Sequence, residues 1–334
     1  MKTDFSGKWH PLKFRPVYQE RVWGGDRLGG LFGRSLPAGR PIGESWEVCD
    51  RPEVCSVVAE GRLAGRSLGE LMAEDPEGVW GPGAIAGMRF PWLCKLLDAR
   101  DDLSLQVHPP AARARELGGE PKTEMWYVAD AEAGSAVYVG VQPGTTPGEF
   151  ERRCKDGTVA GLFHRLPVTR GDVLFLPSGR VHALGRGLVV FEIQQNSDTT
   201  YRVFDWNRVG LDGKPRALHM AEAMRSIDFT DTAPELVSRE WKDEDGWQVR
   251  RLVRHGLFWM DAWKGEGRRE VRGGLGAWLV AVLKGTLAVS GGGVTVQARA
   301  GDFVLVPAGQ GGATLDAGAR SEEHTSELQS RVDI

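Results

Sequence analysis

Cysteine is scarce in this sequence, with four in 334 residues and no CxxC pair among them. A reducing compartment would keep such isolated thiols free, so packing is the role predicted for Cys49, Cys55, Cys94 and Cys154. Also missing is any apolar run of about 18 to 20 residues, which excludes a membrane-spanning helix. The opening residues MKTDFSGKWHP contain no apolar core of a secretory signal, and a cytoplasmic location is therefore predicted.

Net charge is small as well. The 42 Lys and Arg residues nearly balance the 45 Asp and Glu residues, which gives a formal charge of -3. The sequence therefore offers neither a broad positive field for nucleic acid nor a basic helix for a membrane surface. A small molecule is the predicted partner, and the length favours more than one folded domain.

Turn-forming residues, in contrast, are abundant. The chain has 45 Gly and 18 Pro, which separate short stretches rich in Val, Leu, Phe and Trp. This pattern is typical of many short strands joined by tight turns and predicts an all-β fold with a few short helices. Helices are predicted at 67–75, which starts with a capping pattern at Ser67 and Glu70, and at 111–118 and 147–157. The predicted strands are 92–97, 103–108, 123–129, 135–141, 173–177 and 188–195.

An internal repeat predicts the architecture. Residues 170–184 and 300–314 share Gly-Asp, a four-residue apolar strand and Pro-x-Gly at identical spacing. A strand, turn and strand unit that recurs in this way implies two related β-barrels. Where the first copy has His182, the second has Gly312, so the second barrel is predicted to lack the metal site of the first.

The string 171-GDVLFLPSGRVH-182 resembles the second signature of cupin barrels. Upstream, Gln106 and His108 are separated by one residue in a predicted strand, so their side chains point to one face. Glu124 begins another predicted strand. An amide oxygen, two imidazoles and a carboxylate suit Zn²⁺, with Mn²⁺, Fe²⁺ or Co²⁺ as alternatives. Structural roles are predicted for His10, His164, His219 and His255.

Further stretches make the resemblance more specific: 104-SLQVHP-109, 122-KTEMWYV-128, 177-PSGRVHALG-185 and 196-NSDTTYRVFDW-206. Together they resemble the class I mannose-6-phosphate isomerases in their short bacterial form, which are double cupins with two jelly-roll β-barrels. The resemblance runs from 22-VWGG-25 and 43-GESWEV-48 to Trp206, and more loosely to about residue 317. It implies interconversion of mannose 6-phosphate and fructose 6-phosphate, and the family's zinc ligands match Gln106, His108, Glu124 and His182.

The resemblance also implies roles around the metal. Glu192 matches an acid proposed as the base, Asp198 is predicted to assist ring opening, and Arg202 is predicted to hold developing charge or the phosphate. Lys95 and Lys122 match lysines that line the family's site. Two structural alternatives remain: Lys95 as an edge-strand lysine whose ammonium reaches solvent, and an ion pair between Asp198 and Arg202.

Four segments are predicted along the chain. They are a catalytic cupin domain at 1–206, a solvated linker at 207–246, a C-terminal cupin domain without a metal site at 247–319 and a non-native tail at 320–334. The tail begins with 320-RSEEHTSELQS-330, which resembles one reading frame of a widely used sequencing adapter, so the natural sequence is predicted to end near Ala319. Because the second barrel should continue with another strand, the chain is predicted to be truncated and to expose a sheet edge.

Two other functions fit the same residues. A metal cupin of another class, such as a dioxygenase, can hold Fe²⁺ on this ligand set, and fold alone does not exclude it. The second is a non-catalytic regulator that binds a sugar phosphate. The basic residues around the predicted site favour an anionic sugar phosphate as substrate, but the sequence does not separate mannose 6-phosphate from a related aldose phosphate.

Overall fold

The structure, a computed structural model, describes residues 8–273 and 276–318 and the backbone of Ser326–Arg331. Strands dominate and the helices are short, as predicted. No helix among these residues is both long enough and apolar enough to cross a bilayer. The helices are α1 (Arg27–Phe32), α2 (Leu68–Glu74), α3 (Pro76–Val79), α4 (Ala111–Ala114), α5 (Pro147–Asp156) and α6 (Met220–Ser226), with 3₁₀ turns at Val159–Leu162 and Ala308–Gln310.

The strands are β1 (Leu12–Lys13), β2 (Val17–Gly25), β3 (Ile42–Val48), β4 (Trp92–Ala99), β5 (Leu105–Val107), β6 (Glu124–Ala131), β7 (Ala136–Val141), β8 (Phe163–Pro167), β9 (Val173–Leu176), β10 (His182–Leu184), β11 (Leu188–Gln195), β12 (Tyr201–Phe204), β13 (Lys242–Glu244), β14 (Trp247–His255), β15 (Phe258–Lys264), β16 (Gly267–Arg272), β17 (Trp278–Lys284), β18 (Thr286–Gly291), β19 (Val294–Arg299), β20 (Phe303–Val306), β21 (Gly312–Ala317) and β22 (Ser326–Arg331). Each predicted strand is present within this set, as β4, β5, β6, β7, β9 and β11.

The predicted helices form as α2, α4 and α5. Ser67 caps α2: its hydroxyl accepts from the Glu70 amide, and the Glu70 carboxylate accepts from the Ser67 amide. α4 is shorter than predicted. It ends at Ala114 because the chain then turns, with Gly118 at a φ of 68° and the Gly119 amide donating back to the Ala114 carbonyl.

The chain forms two compact units. Unit II comprises Tyr18–Trp46 and Leu93–Val237. It contains a six-stranded sheet in the order β2-β3-β4-β11-β6-β9 and a five-stranded sheet in the order β12-β5-β10-β7-β8. Apolar side chains from both sheets share one core, such as Trp126 from the first and Val139 from the second. Unit II is therefore a two-sheet sandwich closed around its own interior.

Helices cover the other face of the five-stranded sheet. α5 starts with Thr146 as its cap and Pro147 in the first turn, and it buries Phe150 and Cys154, which are one helical turn apart. α6 adds the fully buried Ala223 to the same cluster. The segment 207–246 was predicted to be solvated because it is polar, and this is wrong for α6, whose apolar side packs on the sheet.

Unit I comprises Met1–Val17, Glu47–Trp92 and Ser238–Ile334. Its sheets are β1-β20-β17-β22-β15-β14-β13 and β16-β21-β18-β19, again around one apolar core. β22, from the predicted tail, pairs with both β15 and β17. The predicted end near Ala319 lies outside the described residues. The predicted domains are consecutive segments of the chain, whereas unit I is built from three separate segments. The predicted domain boundaries stay a prediction.

The internal repeat recurs in the backbone of the two units. Gly171 and Gly301 have φ angles of 87° and 88°, which favour glycine. Each donates its N–H to a valine carbonyl on a neighbouring strand, Val128 on β6 and Val282 on β17, at 2.8 Å. The aspartate after each glycine accepts from the backbone N–H of the residue three positions earlier. The sequence repeat is therefore also a repeat of local structure.

Strand pairing shows which residue of unit I occupies the position that Glu124, a predicted ligand, occupies in unit II. Glu124 lies opposite Leu176 across β6 and β9, and Trp278 lies opposite Val306 across β17 and β20. Leu176 and Val306 occupy the same place in the repeat. Trp278 thus stands where unit II has Glu124. Within residues 8–273 and 276–318, the metal-capable group of three His, Cys, Asp or Glu side chains lies in unit II, not unit I.

Candidate metal centre

Three predicted ligands converge at the starts and ends of strands in unit II. His108 follows β5, Glu124 begins β6 and His182 begins β10, and one ligand atom from each lies within 4.8 Å of the others. All three are buried, with exposures of 1%, 0% and 1%. The fourth predicted ligand, Gln106 on β5, lies directly opposite His182 in the antiparallel register.

The turn before β10 explains how His182 reaches this place. Pro177 ends β9, and Gly179 follows with a φ of 95°. The Gly179 amide donates to the His108 carbonyl at 2.9 Å, which ties the turn to the end of β5. The spacing of Pro177, Gly179 and His182 in the signature thus forms the turn that places the His182 imidazole beside His108 and Glu124.

The hydrogen bonds around this group leave atoms available that can coordinate a cation. His108 Nδ1 donates to the Thr199 carbonyl at 2.8 Å and His182 Nδ1 donates to the Arg180 carbonyl at 2.9 Å. These bonds fix the proton on Nδ1 and leave the Nε2 lone pair for a ligand. His108 Nε2 and Glu124 Oε1 are buried with no hydrogen-bond partner among the described residues, and the buried Glu124 Oε2 lies 2.9 Å from the Lys122 ammonium.

The spacing of these atoms also fits a metal. The carboxylate of Glu124 lies 3.4 Å from His108 Nε2 and 3.2 Å from His182 Nε2. These distances match the edge of a tetrahedron, roughly 3.3 Å, for metal bonds of about 2.0 to 2.1 Å. The amide of Gln106 approaches His182 Nε2 at 3.4 Å, and half a turn of that amide directs its oxygen to the same point.

Charges around the group keep the ligands in their binding forms. Lys122 Nζ lies 2.9 Å from the Glu124 carboxylate, and both side chains are buried. Burial alone would raise the pKa of Glu124, but the Lys122 ammonium together with His108 and His182 outweighs it, and that pKa lies well below its usual range. Burial, helped by Lys122, lowers the pKa of His108 to about 3. At neutral pH the acid is therefore ionised and the imidazole is neutral, as metal binding requires.

A cavity of about 290 Å³ lies beside Gln106 and Lys122. Lys95 on β4 lines it with a side chain only 4% exposed, so the alternative of a solvent-reaching lysine is wrong. Its ammonium lies over the Trp46 ring at 5.0 Å. Three carboxylates surround it, at 3.6 Å for Glu44, 3.6 Å for Glu192 and 3.9 Å for Asp198.

Glu192 on β11 is a buried acid that lines this cavity, with 4% exposure. One oxygen, Oε2, accepts a hydrogen bond of 2.8 Å from the indole of Trp126. The other, Oε1, has no hydrogen-bond partner among the described residues. Burial and the neighbouring charge of Glu124 raise the pKa of Glu192, against the opposing lysines.

Arg202 on β12 also lines the cavity. Its Nη1 donates to the Ala217 carbonyl at 2.9 Å, while Nε is buried without a partner among the described residues. Burial lowers the pKa of this guanidinium. Asp198, which is half exposed, pairs with Lys95 rather than with Arg202, so the alternative of an ion pair between Asp198 and Arg202 is wrong.

Sequence reasoning missed a second buried acid. Glu44 on β3 accepts two hydrogen bonds of 3.0 Å from Arg21 and one of 2.6 Å from the Trp46 indole. Burial would raise its pKa, but Lys95 and Arg21 lower it to about 2. The signal was present in 43-GESWEV-48, because residues two apart on a strand share a face.

The four remaining histidines each contact backbone. His10 and His164 lie near backbone carbonyls, whereas His219 and His255 accept from the amides of Arg202 and Leu257. The four cysteines are free thiols. These contacts agree with the structural roles that the sequence predicts.

Known proteins resemble this chain over most of its length. A family model described as phosphomannose isomerase type I, catalytic domain, matches residues 12–138. The chain is 36% identical over 309 residues to a probable mannose-6-phosphate isomerase, GmuF, of Bacillus subtilis, which covers 92% of this chain and 96% of that protein. It is 35% identical over 303 residues to the mannose-6-phosphate isomerase ManA of the same organism, which covers 90% and 94%.

Solved structures give the same picture. The crystal structure of the mannose 6-phosphate isomerase from Bacillus subtilis superposes with a TM-score of 0.85 at 30% identity, covering 96% of this chain and 99% of that one. A phosphomannose isomerase mutant from Salmonella typhimurium superposes with a TM-score of 0.75 at 13% identity, covering 97% and 100%. The second likeness concerns the fold alone.

Proposed function

The chain belongs to the type I phosphomannose isomerase family and is a mannose-6-phosphate isomerase, and from this premise we propose a metal-assisted proton transfer that interconverts mannose 6-phosphate and fructose 6-phosphate. Moving the carbonyl from C1 to C2 requires a base that removes a proton beside the carbonyl and returns it to the neighbouring carbon. It also requires a cation or donors that stabilise the enediolate charge formed between these steps.

Four side chains would hold the cation: Gln106, His108, Glu124 and His182. The two neutral imidazoles, the carboxylate and the amide oxygen are a donor set that suits Zn²⁺. When bound, the ion supplies Lewis-acid stabilisation of the oxygens that gain charge, typically by several kcal/mol. The support for this assignment is the pair of Nδ1 bonds that leave both Nε2 atoms directed at Glu124.

Glu192 would be the base. Its buried carboxylate lines the cavity, and its raised pKa improves it as a proton acceptor near neutral pH, where Brønsted behaviour favours a poised group. The carboxylate would take the proton from C2 of the open-chain aldose and deliver it to C1, while the hydroxyl proton of O2 passes to O1. Asp198, half exposed at the cavity, would assist opening of the sugar ring.

The cationic side chains would bind the substrate. Arg202 has a buried Nε without a partner among the described residues, which suits the phosphate as an acceptor of charged hydrogen bonds. Lys122 is paired with Glu124 and Lys95 lies among carboxylates without closing on Glu192, so both lysines would donate to substrate hydroxyls and to developing charge. A free sugar phosphate is the proposed partner, with neither nucleic acid nor a membrane involved, and the cytoplasm is the proposed location.

What carries the proposal is one arrangement: a buried group of two histidines and a glutamate beside an acid whose free oxygen lies at a cavity lined by basic side chains. Neither the dioxygenase nor the non-catalytic regulator is favoured by the relatives of this chain.

The test is a coupled assay over a panel of aldose phosphates, before and after chelation and after return of zinc. We expect turnover of mannose 6-phosphate that chelation removes and zinc restores. Glu192→Gln should abolish turnover at full metal content, whereas the exposed control Glu53→Gln should leave it unchanged. Oxygen consumption without isomerisation, or binding without turnover at full metal occupancy, would overturn the proposal.

A further inference from the structure

Trp126 lies between the proposed base and the metal group. It is directly opposite Glu192 in the antiparallel pairing of β6 and β11, so the two side chains leave their strands on the same face as neighbours. Its indole N–H donates to Glu192 Oε2 at 2.8 Å, and both side chains are almost fully buried. The same ring meets the His182 imidazole edge to face, with centroids 5.3 Å apart and planes at 87°.

The two oxygens of Glu192 are therefore not equivalent. Oε2 is occupied by the indole, whereas Oε1 has no hydrogen bond among the described residues and lies 3.6 Å from the Lys95 ammonium. A carboxylate that is free to rotate would close this gap and form a direct ion pair with the lysine. An ion pair at hydrogen-bond distance would lower its basicity and turn its free lone pairs away from the substrate.

We infer that Trp126 is a positioning residue for the isomerisation, whose indole N–H fixes the Glu192 carboxylate so that Oε1 is the oxygen presented to the substrate carbon. A neutral donor suits this task, because it orients the carboxylate without neutralising the charge that abstracts the proton. Trp126 can act in this way only if Glu192 is the base, as proposed above. Misorientation of a base raises the barrier of the chemical step and leaves substrate affinity largely unchanged.

The experiment compares full-length zinc-loaded protein with Trp126→Phe, which removes the N–H and keeps an aromatic ring. Loss of a hydrogen bond to a charged group predicts a fall in kcat of about 10- to 100-fold, with KM within about threefold of the unchanged protein. The exchange of the substrate C2 hydrogen with deuterated water should slow in parallel. Trp92→Phe is the matched control, because Trp92 is equally buried and its indole donates to the Leu257 carbonyl instead.

A second variant covers the case in which the phenylalanine packs poorly. Site-specific incorporation of benzothienylalanine at position 126 keeps the ring shape and replaces only the N–H by sulfur, and the same fall in kcat is expected. Glu192→Gln is measured in parallel. Full activity without the indole N–H, beside an inactive Glu192→Gln, would overturn the role of Trp126 alone, whereas an active Glu192→Gln would overturn the base itself.

Two other results would also count against this role. A rise in KM with unchanged kcat would mean that the indole contacts the substrate. Loss of bound zinc in Trp126→Phe would mean that Trp126 acts by supporting His182, which the ring also contacts.

Discussion

Glu124 and Lys122 form a buried pair whose disruption can be predicted in detail. The carboxylate is fully buried, the lysine side chain is 5% exposed, and Nζ lies 2.9 Å from Oε2. Glu124→Gln keeps the size of the side chain and removes its charge. Two effects should follow: the proposed metal site loses its anionic ligand, and the Lys122 ammonium stays in the interior without the carboxylate that pairs with it.

The second effect can be measured without metal. Removal of one partner from a buried ion pair costs about 3 to 5 kcal/mol, because the remaining charge is uncompensated. That is a large part of an ordinary unfolding free energy of about 5 to 15 kcal/mol. Urea unfolding of chelator-treated protein should therefore show Glu124→Gln destabilised by about 3 to 5 kcal/mol. The exposed control Glu53→Gln should stay within about 0.5 kcal/mol of the unchanged protein.

A double variant separates the two effects. Adding Lys122→Met to Glu124→Gln removes the stranded charge, so most of the lost stability should return, while metal analysis should still find no bound zinc. Stoichiometric zinc in either variant would refute Glu124 as a ligand. If metal-free Glu124→Gln is as stable as the unchanged protein, the buried pair does not carry the energy assigned to it.

Three further predictions concern stability and pH. His108 has a folded pKa of about 3, below its unfolded value of about 6.5, so the unfolded chain binds its proton first and metal-free stability should fall as the pH drops below 6.5. Urea titrations of His108→Gln should lack this part of the fall. Burial raises the pKa of Asp98 to about 6, so its folded form binds the proton first and this residue should add roughly 1 to 3 kcal/mol as the pH falls from 7 to 4. The unfolding free energy of the unchanged protein, minus that of Asp98→Asn, should rise as the pH falls over that range. A difference that does not change with pH would contradict this prediction. Gly171→Ala meets no close atom but must adopt a φ of 87°, so we expect a loss of about 1 to 2 kcal/mol in urea unfolding with unchanged kcat, and a larger loss would mean a clash.

The fold and the proposed metal ligands follow from local patterns. Glycine and proline spacing predicts the strands, and the repeat at residues 171 and 301 predicts two related β-barrels, because a repeated turn keeps its glycine, its aspartate and its spacing. The ligands are found in the same way, since His182 ends a recognisable turn and Gln106 and His108 share a strand face.

The sequence places Lys95, Lys122 and Glu192 near the proposed ligands only by resemblance, and their contacts with one another could not be predicted, because these depend on pairing between distant strands. Trp126 and Glu192 meet through the register of β6 and β11, which no single stretch of sequence contains. Glu44 and Lys95 come together through neighbouring strands of one sheet, and the sequence gives no measure of that distance. α4 was predicted too long because helix propensity in 111–118 gives way to the turn at Gly118.

The proposed metal ligands come from both sheets of unit II. Glu124 stands on β6 of the six-stranded sheet, whereas Gln106 and His182 stand on β5 and β10 of the five-stranded sheet. If these side chains bind one ion, they would cross-link the two sheets of the sandwich at the edge that carries the proposed site. The bonds between the ion and its ligands would then also limit how far the two sheets can move apart. Loss of the ion would remove the catalytic activity and this restraint together.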